Sequence, residues 1–360
     1  MTATPAPPTP VNTLTSGRLP RQAPWAILLV SMLIGSVVSW LLGAESDADF
    51  NVGLAAVFGL IVYLTGITLI ANAVEGGRQA RDRFVTGLVV SAFVLALLPL
   101  VSVLWTVLSH GMARFDATFF TWSMRNVVGE GGGAVHAITG TLLITGMAAL
   151  ISIPVGLLTS IYLVEYGRGV LARAITFFVD VMTGIPSIVA GLFAFAFLSL
   201  VTGDPGLRSG FGGALALSLL MIPVVVRSSE EMLRIVPNEL REAAYALGVP
   251  KWLTILKVVI PTAIAGIATG VTIAISRVIG ETAPLLIVAG FTAGMNTNLF
   301  SNQMMTLPVF VFKQYANPGA DVDAYLDRAW TGALVLILIV MVLNLVARLI
   351  AKLFAPKTGR

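Results

Sequence analysis

Residues 272–290 read TIAISRVIGETAPLLIVAG, and they set Arg277 and Glu281 inside an otherwise apolar run. A charged side chain at the centre of a bilayer costs about 2.5–3.5 kcal/mol on insertion scales, so such residues face a protein interior or an aqueous cavity. The two are four residues apart and so lie on one face of the helix. Arg before Glu is the less favourable order for the helix dipole, which argues against a pair kept for helix stability alone. Pro284 follows, and its missing N–H frees the carbonyl of Gly280 beside Glu281. The chemistry these residues suit is passage of an anion: Arg277 lowers its electrostatic cost and Glu281 keeps it from being held too tightly. Arg227 extends a positive path toward one membrane face, or is an ordinary snorkelling arginine. A buried ion pair fixing helix register is the structural alternative for Arg277 and Glu281. A proton relay through Glu281 is the other functional one.

Catalytic and cofactor chemistry finds little support. The chain has no Cys, which excludes disulfides, thiolate metal sites and a cysteine nucleophile. His110 and His136 show no metal-ligand spacing. The run Gly129, Gly131, Gly132, Gly133 lacks the following Lys-Ser/Thr of a phosphate cradle, and no Walker A pattern occurs anywhere. No catalytic residue, metal or cofactor is therefore expected.

The elements that must carry these residues are membrane spans. Of 360 residues 57% are hydrophobic and 11% charged, and the mean hydropathy is +0.92. A soluble domain carries about 25% charged residues. The expected fold is all-α and polytopic, with about eight transmembrane helices in contact with lipid: 25–43, 52–74, 84–108, 134–166, 174–201, 213–227, 262–289 and 330–354. Gly184, Pro186 and Ser187 are a point where the fifth span can kink and offer backbone or hydroxyl groups to a cavity. The expected order is a disordered tail over 1–23, a helix pair over 24–83, a six-helix domain over 84–354 and a short tail over 355–360. The net charge of +4 does not imply nucleic acid, because the basic residues are scattered between spans. One side collects sixteen of the 22 Lys and Arg, the other five, with Arg277 inside a span. That bias puts both termini in the cytoplasm.

Residues 234–261, RIVPNELREAAYALGVPKWLTILKVVIP, form the one long polar insertion in the second half. Asn238 is the expected N-cap and Gly248 the expected left-handed stop, with Pro250 unable to continue the helix. Leu240, Ala243, Ala244 and Leu247 recur at helical spacing, while Glu239, Arg241 and Glu242 lie elsewhere on its surface. Bulky residues usually anchor an interfacial helix in lipid, whereas Ala243 and Ala244 admit another protein closely.

Glu242-Ala243-Ala244, Gly248 and Val258 through Pro261 resemble the EAA loop of ABC-importer permeases. Gly280 through Leu286 (GETAPLL), Ile161 through Gly167 (IYLVEYG), Gly184 through Val189 (GIPSIV) and Met305 through Phe310 (MTLPVF) resemble the PstA-type permeases of phosphate-specific importers. The resemblance covers roughly 84–354. It implies a six-helix permease core that forms half of a phosphate pathway in the cytoplasmic membrane, with Arg227, Arg277 and Glu281 along it. It also implies three partners: a homologous permease, an ATPase dimer at Glu242, Ala243, Ala244 and Gly248, and an extracytoplasmic phosphate-binding protein. Another oxyanion, a proton-coupled secondary transporter and a membrane scaffold are the alternatives.

Overall fold

The protein is described here by a computed structural model covering residues 19–20, 22–45 and 52–354. Most of the expected tail 1–23, the turn at 46–51 and the tail 355–360 lie outside the described residues. Every element among the described residues is helical: α1 (Ala23–Glu45), α2 (Val52–Val74), α3 (Gly77–Gly111), α4 (Ala117–Thr121), α5 (Val135–Ile161), α6 (Gly169–Thr183), α7 (Ser187–Thr202), α8 (Gly210–Ile235), α9 (Asn238–Ala246), α10 (Lys251–Thr254), α11 (Ile260–Val278), α12 (Ala283–Val288), α13 (Leu307–Ala316) and α14 (Val322–Phe354). A π-helical turn, Tyr162–Tyr166, extends α5, and another, Ile255–Val259, joins α10 to α11. Among the described residues seven segments are long and apolar enough to cross a membrane: α1, α2, α3, α5 with its π turn, α8, α10–α11 and α14. Counting the bent pair α6 and α7 as one more gives eight.

Two expected spans are not continuous. The chain bends by 111° between α6 and α7, so 174–201 is not one helix. Pro186 has no N–H to give the preceding turn and pushes Ile185 away from helical geometry, so the helix ends at Thr183 and restarts at Ser187. The expected span 262–289 is likewise two pieces. α11 stops at Val278 and α12 restarts at Ala283, with Pro284 in its first turn, where a missing N–H costs nothing.

The helices divide into two compact units, one ending at Leu104 and one beginning at Trp105, so the division falls within α3. In the first unit α1 and α2 cross closely at Gly35: a Cβ there would lie 2.4 Å from the carbonyl oxygen of Ala55. The buried Glu75 accepts from Arg83 at 2.5 and 2.7 Å and from the Leu19 N–H at 2.7 Å.

In the second unit α8 is the most enclosed span, with α5 and α11 against it. Gly156 of α5 lets Val225 approach to 2.6 Å of where a Cβ would be, and Gly270 of α11 does the same for Ser228 at 2.4 Å. Small residues at such crossings replace the hydrophobic drive that lipid does not supply. Ile144, Ala148, Leu217, Met221, Val225, Ala274 and Val278 fill the shared core. At the start of α5, Leu307 donates its N–H to Thr141 Oγ1 at 2.7 Å, and α13 buries Leu307, Val309 and Phe310 completely. At the other end of α5, about 36 Å away at 1.5 Å per residue, Glu165 and Tyr166 meet α9 and α10. The bundle therefore has a far end capped by α13 and a peg end capped by α9.

Two glycines of α5 test this packing. A Cβ on Gly140 would sit 2.0 Å from the backbone oxygen of Met305, whereas one on Gly146 meets nothing within 4 Å. Gly140→Ala is expected to destabilise by about 1–3 kcal/mol and Gly146→Ala to stabilise by about 0.5–1 kcal/mol. Thermal unfolding of the purified variants in detergent checks both; equal midpoints would refute the close contact between Gly140 and the backbone of Met305.

Candidate functional site

The site residues fall into a peg-end cluster, a helix break deeper in the bundle and the peg itself. The cluster is built where α8 passes α6. Arg227 Nη2 donates to Asp180 Oδ1 of α6, and its Nη1 to Glu230 Oε2 at 2.9 Å. Glu230, 8% exposed at its side chain, also accepts from Arg234 at 2.7 Å. Two guanidinium groups thus meet two carboxylates, and Arg227 offers no uncompensated charge in this arrangement. Glu230 and Arg234 lie one turn apart on α8, so the helix itself supplies their spacing. Beside them a cavity of about 400 Å³ is lined by Leu163, Arg173, Thr176, Asp180, Glu230 and Arg234 among others. Composition pointed to Arg227 but not to Asp180 or Glu230, because Asp180 is 47 residues away and looked like part of an apolar span.

The deeper site differs from the sequence expectation. Arg277 occupies the last turn of α11, and Glu281 lies beyond the helix in the break before α12. They do not share a helix face, and no ion pair joins them within 4.0 Å among the described residues. Glu281 instead donates its N–H to the carbonyl of Val278 at 3.1 Å, which closes a turn. Arg277 is exposed, on a stripe with Thr269 and Ile273 of α11 that continues to Gly280 just beyond the helix. Its depth follows from register. Gly266 lies against Met232 and Gly270 against Ser228, and the same antiparallel step carries Arg277 to the level of Met221, near the middle of α8. α7 closes on the break: a Cβ on Gly191 would lie 2.7 Å from Pro284 Cα. Pro186, at the N-terminus of α7, accepts from the N–H groups of Val189 and Ala190 through its carbonyl.

The peg also reverses part of the expectation. Pro237, not Asn238, is the N-cap: its fixed φ of −59° opens the helix and Asn238 is already helical. Asn238 Oδ1 accepts instead from Arg241 Nη1 at 3.1 Å. Leu247 ends the helix, and Gly248 follows at φ +76°. Leu240, Ala243 and Leu247 are exposed, while Ala244 is buried and Arg241 points inward to Glu165 at 3.0 Å. The expected apolar face therefore looks away from the bundle, and an expected surface charge lies inside it. Glu165 had no visible partner in sequence, since 76 residues separate it from Arg241. Among the described residues no three His, Cys, Asp or Glu side chains gather as a metal site.

Paired charges at the peg end, a lone guanidinium at a helix break midway along the central span, and an outward-facing helix between spans describe a membrane permease. The chain belongs to the family of binding-protein-dependent transport system inner membrane components, whose pattern matches residues 152–360. Among its relatives, the phosphate transport system permease protein PstA 1 of Mycobacterium tuberculosis H37Rv is 46% identical over 276 residues, 76% of this chain and 88% of that protein. The PstA permease of Yersinia pestis is 37% identical over 284 residues, covering 79% and 93%. In fold alone, the chain resembles the crystal structure of a bacterial alginate ABC transporter in complex with an alginate-pentasaccharide-bound periplasmic protein, with a TM-score of 0.55 at 14% identity over 78% of this chain and 97% of that one.

The end of the peg yields a prediction. Gly248 has open space around its Cα, so Gly248→Ala meets no clash and only the positive φ is penalised. A loss of about 1 kcal/mol in local α9 stability is expected, with Gly248→Asn losing less. Amide hydrogen exchange of α9 measures it, and unchanged protection in Gly248→Ala would show that Gly248 does not set the end of the peg.

Proposed function

We propose that this chain forms one half of the transmembrane pathway of an ATP-driven importer for inorganic phosphate. The substrate follows from relatives between 37% and 46% identical that are named phosphate transport permeases. The chain has no nucleotide-binding motif, so an ATPase dimer docks at α9 around Glu242, Ala243, Ala244 and Gly248. A homologous permease stands beside it, and an extracytoplasmic binding protein delivers phosphate to the far end. The peg end and both termini are cytoplasmic in this reading, residues 84–354 are the permease proper, and 24–83 are an added pair.

The observation that carries the pathway is Arg277. It is exposed at mid-depth in an otherwise uncharged helix, and a guanidinium there is too costly to leave in lipid. The stripe therefore faces an aqueous route or the second permease, where a positive charge suits an anion. Glu281, in the break beside it, tempers that attraction so that phosphate leaves. Arg227 serves nearer the cytoplasm, where release from Asp180 and Glu230 exposes its charge. The breaks at Pro186 and Pro284 leave backbone near the route free of helical hydrogen bonds, which membranes tolerate only beside protein or water.

The test is ATP-dependent uptake of radiolabelled phosphate by the assembled complex in liposomes. Arg277→Gln is expected to slow uptake by about tenfold or more while ATP hydrolysis persists. Uptake at the wild-type rate would remove Arg277 from the pathway. Competition by molybdate or sulfate equal to that by phosphate would shift the substrate to another oxyanion, and loss of uptake on collapsing the proton gradient at constant ATP would favour a secondary transporter.

A further inference from the structure

Glu165 stands where electrostatics alone would not put it. It lies in the last turn of the α5 span, where the helix dipole is negative and a carboxylate is unfavourable. Its side chain is only 5% exposed, so it also loses most of its hydration. Both costs are offset by cations from the segment that contains the peg. Arg241 of α9 donates through Nε to Glu165 Oε1 at 3.0 Å. Lys251, first residue of α10, donates through Nζ to the backbone oxygen of Glu165 and lies 4.7 Å from the centre of the Tyr166 ring.

Arg241 reaches a second span as well. Its Nη2 donates to the carbonyl of Leu233 at 2.9 Å and its Nη1 to that of Val236 at 2.6 Å, so it satisfies backbone oxygens at the C-terminal end of α8. A helix end there carries partial negative charge and unpaired carbonyls, and a cation serves both. At 12% side-chain exposure, Arg241 is a junction of three elements: the peg, the end of α5 and the end of α8.

We infer that Arg241 and Glu165 are the positioning pair that transmits movement of the peg to the spans, and that they act as a coupling joint rather than a staple. A helix linked to its neighbours only by loops would tilt under load and leave α5 in place. With Arg241 on Glu165 and on the α8 carbonyls, and Lys251 on the same turn of α5, a displaced α9 carries both spans. α5 and α8 then move as one body, because Gly156 and Val225 interlock them. α11 is coupled through the chain itself.

This inference rests on the reading of α9 as the ATPase dock, and one experiment separates the two. The complex of this chain with its ATPase, sister permease and binding protein is reconstituted with wild type, Glu165→Ala, Arg241→Gln and the double variant. The quantity read is phosphate moved per ATP hydrolysed. Each single variant is expected to retain the ATPase on purification and to lower that ratio by about tenfold, with the double variant no lower than the worse single one. An unchanged ratio, or losses that multiply in the double variant, overturns the joint. If Arg241→Gln fails to assemble, Glu165→Ala decides alone, since it leaves Arg241 on the carbonyls of Leu233 and Val236. Failure of the underlying reading has its own signature: Leu247→Glu, on the exposed face of α9, would then hold the ATPase as firmly as wild type, and the coupling joint falls with it.

Discussion

The constraint on which the rest of this structure depends is the cost of an unpaired charge or backbone polar group where lipid replaces water. At the peg end it is met by pairing: Arg227 with Asp180 and Glu230, Arg234 with Glu230, Arg241 with Glu165. Two of these pairs, Arg227 with Asp180 and Arg241 with Glu165, join different elements, so the requirement to neutralise charge also fixes how the helices meet. Among the described residues Arg277 is the contrast, because it meets no carboxylate and no backbone carbonyl in its own chain. A membrane protein satisfies such a residue from outside itself, with water, a solute or another subunit.

The two broken spans follow from the same constraint. Ending α6 at Thr183 and α11 at Val278 frees carbonyls that a continuous helix would bond. Part of the loss is made up locally, by Gly184 donating to Val181 and Glu281 donating to Val278. Proline then restarts both helices where its missing N–H is no loss. The second break lies against α7 at Gly191 and leads into α12, whose Leu285 and Val288 are buried. The polar backbone of this second break is thereby set between Arg277 and the buried residues of α12.

Much of this was legible in sequence, and the limits have physical reasons. The existence of the spans, the special character of residues 234–261 and the depth of Arg277 all follow from hydropathy and from the rarity of charge in apolar runs. Those are local properties. The breaks at Pro186 and Pro284 were visible as composition, but proline is also tolerated inside membrane helices: α3 runs unbroken through Pro99 and α5 through Pro154. Whether the chain turns depends on what packs at that point, which periodicity does not report. Asp180 and Glu165 escaped notice because each is paired with a residue far along the chain. A carboxylate in an apolar stretch signals that a partner exists without saying where.

The orientation of the peg shows why pattern alone misjudges such a helix. A helix lying on a membrane turns its apolar face into the acyl boundary and its Lys and Arg toward anionic headgroups. The cations of α9 and α10 themselves are Arg241 and Lys251, and both are engaged on the end of α5. The outward surface is left with Leu240, Ala243 and Leu247 beside the exposed carboxylates of Glu239 and Glu242. Acidic groups are repelled by an anionic leaflet, and alanine contributes little to insertion. An apolar strip edged by acid suits a protein cleft lined by apolar and basic side chains. The same two inward contacts that turn these cations away from lipid also tie the peg to the spans, so the proposed docking and transmission rest on one arrangement of charge.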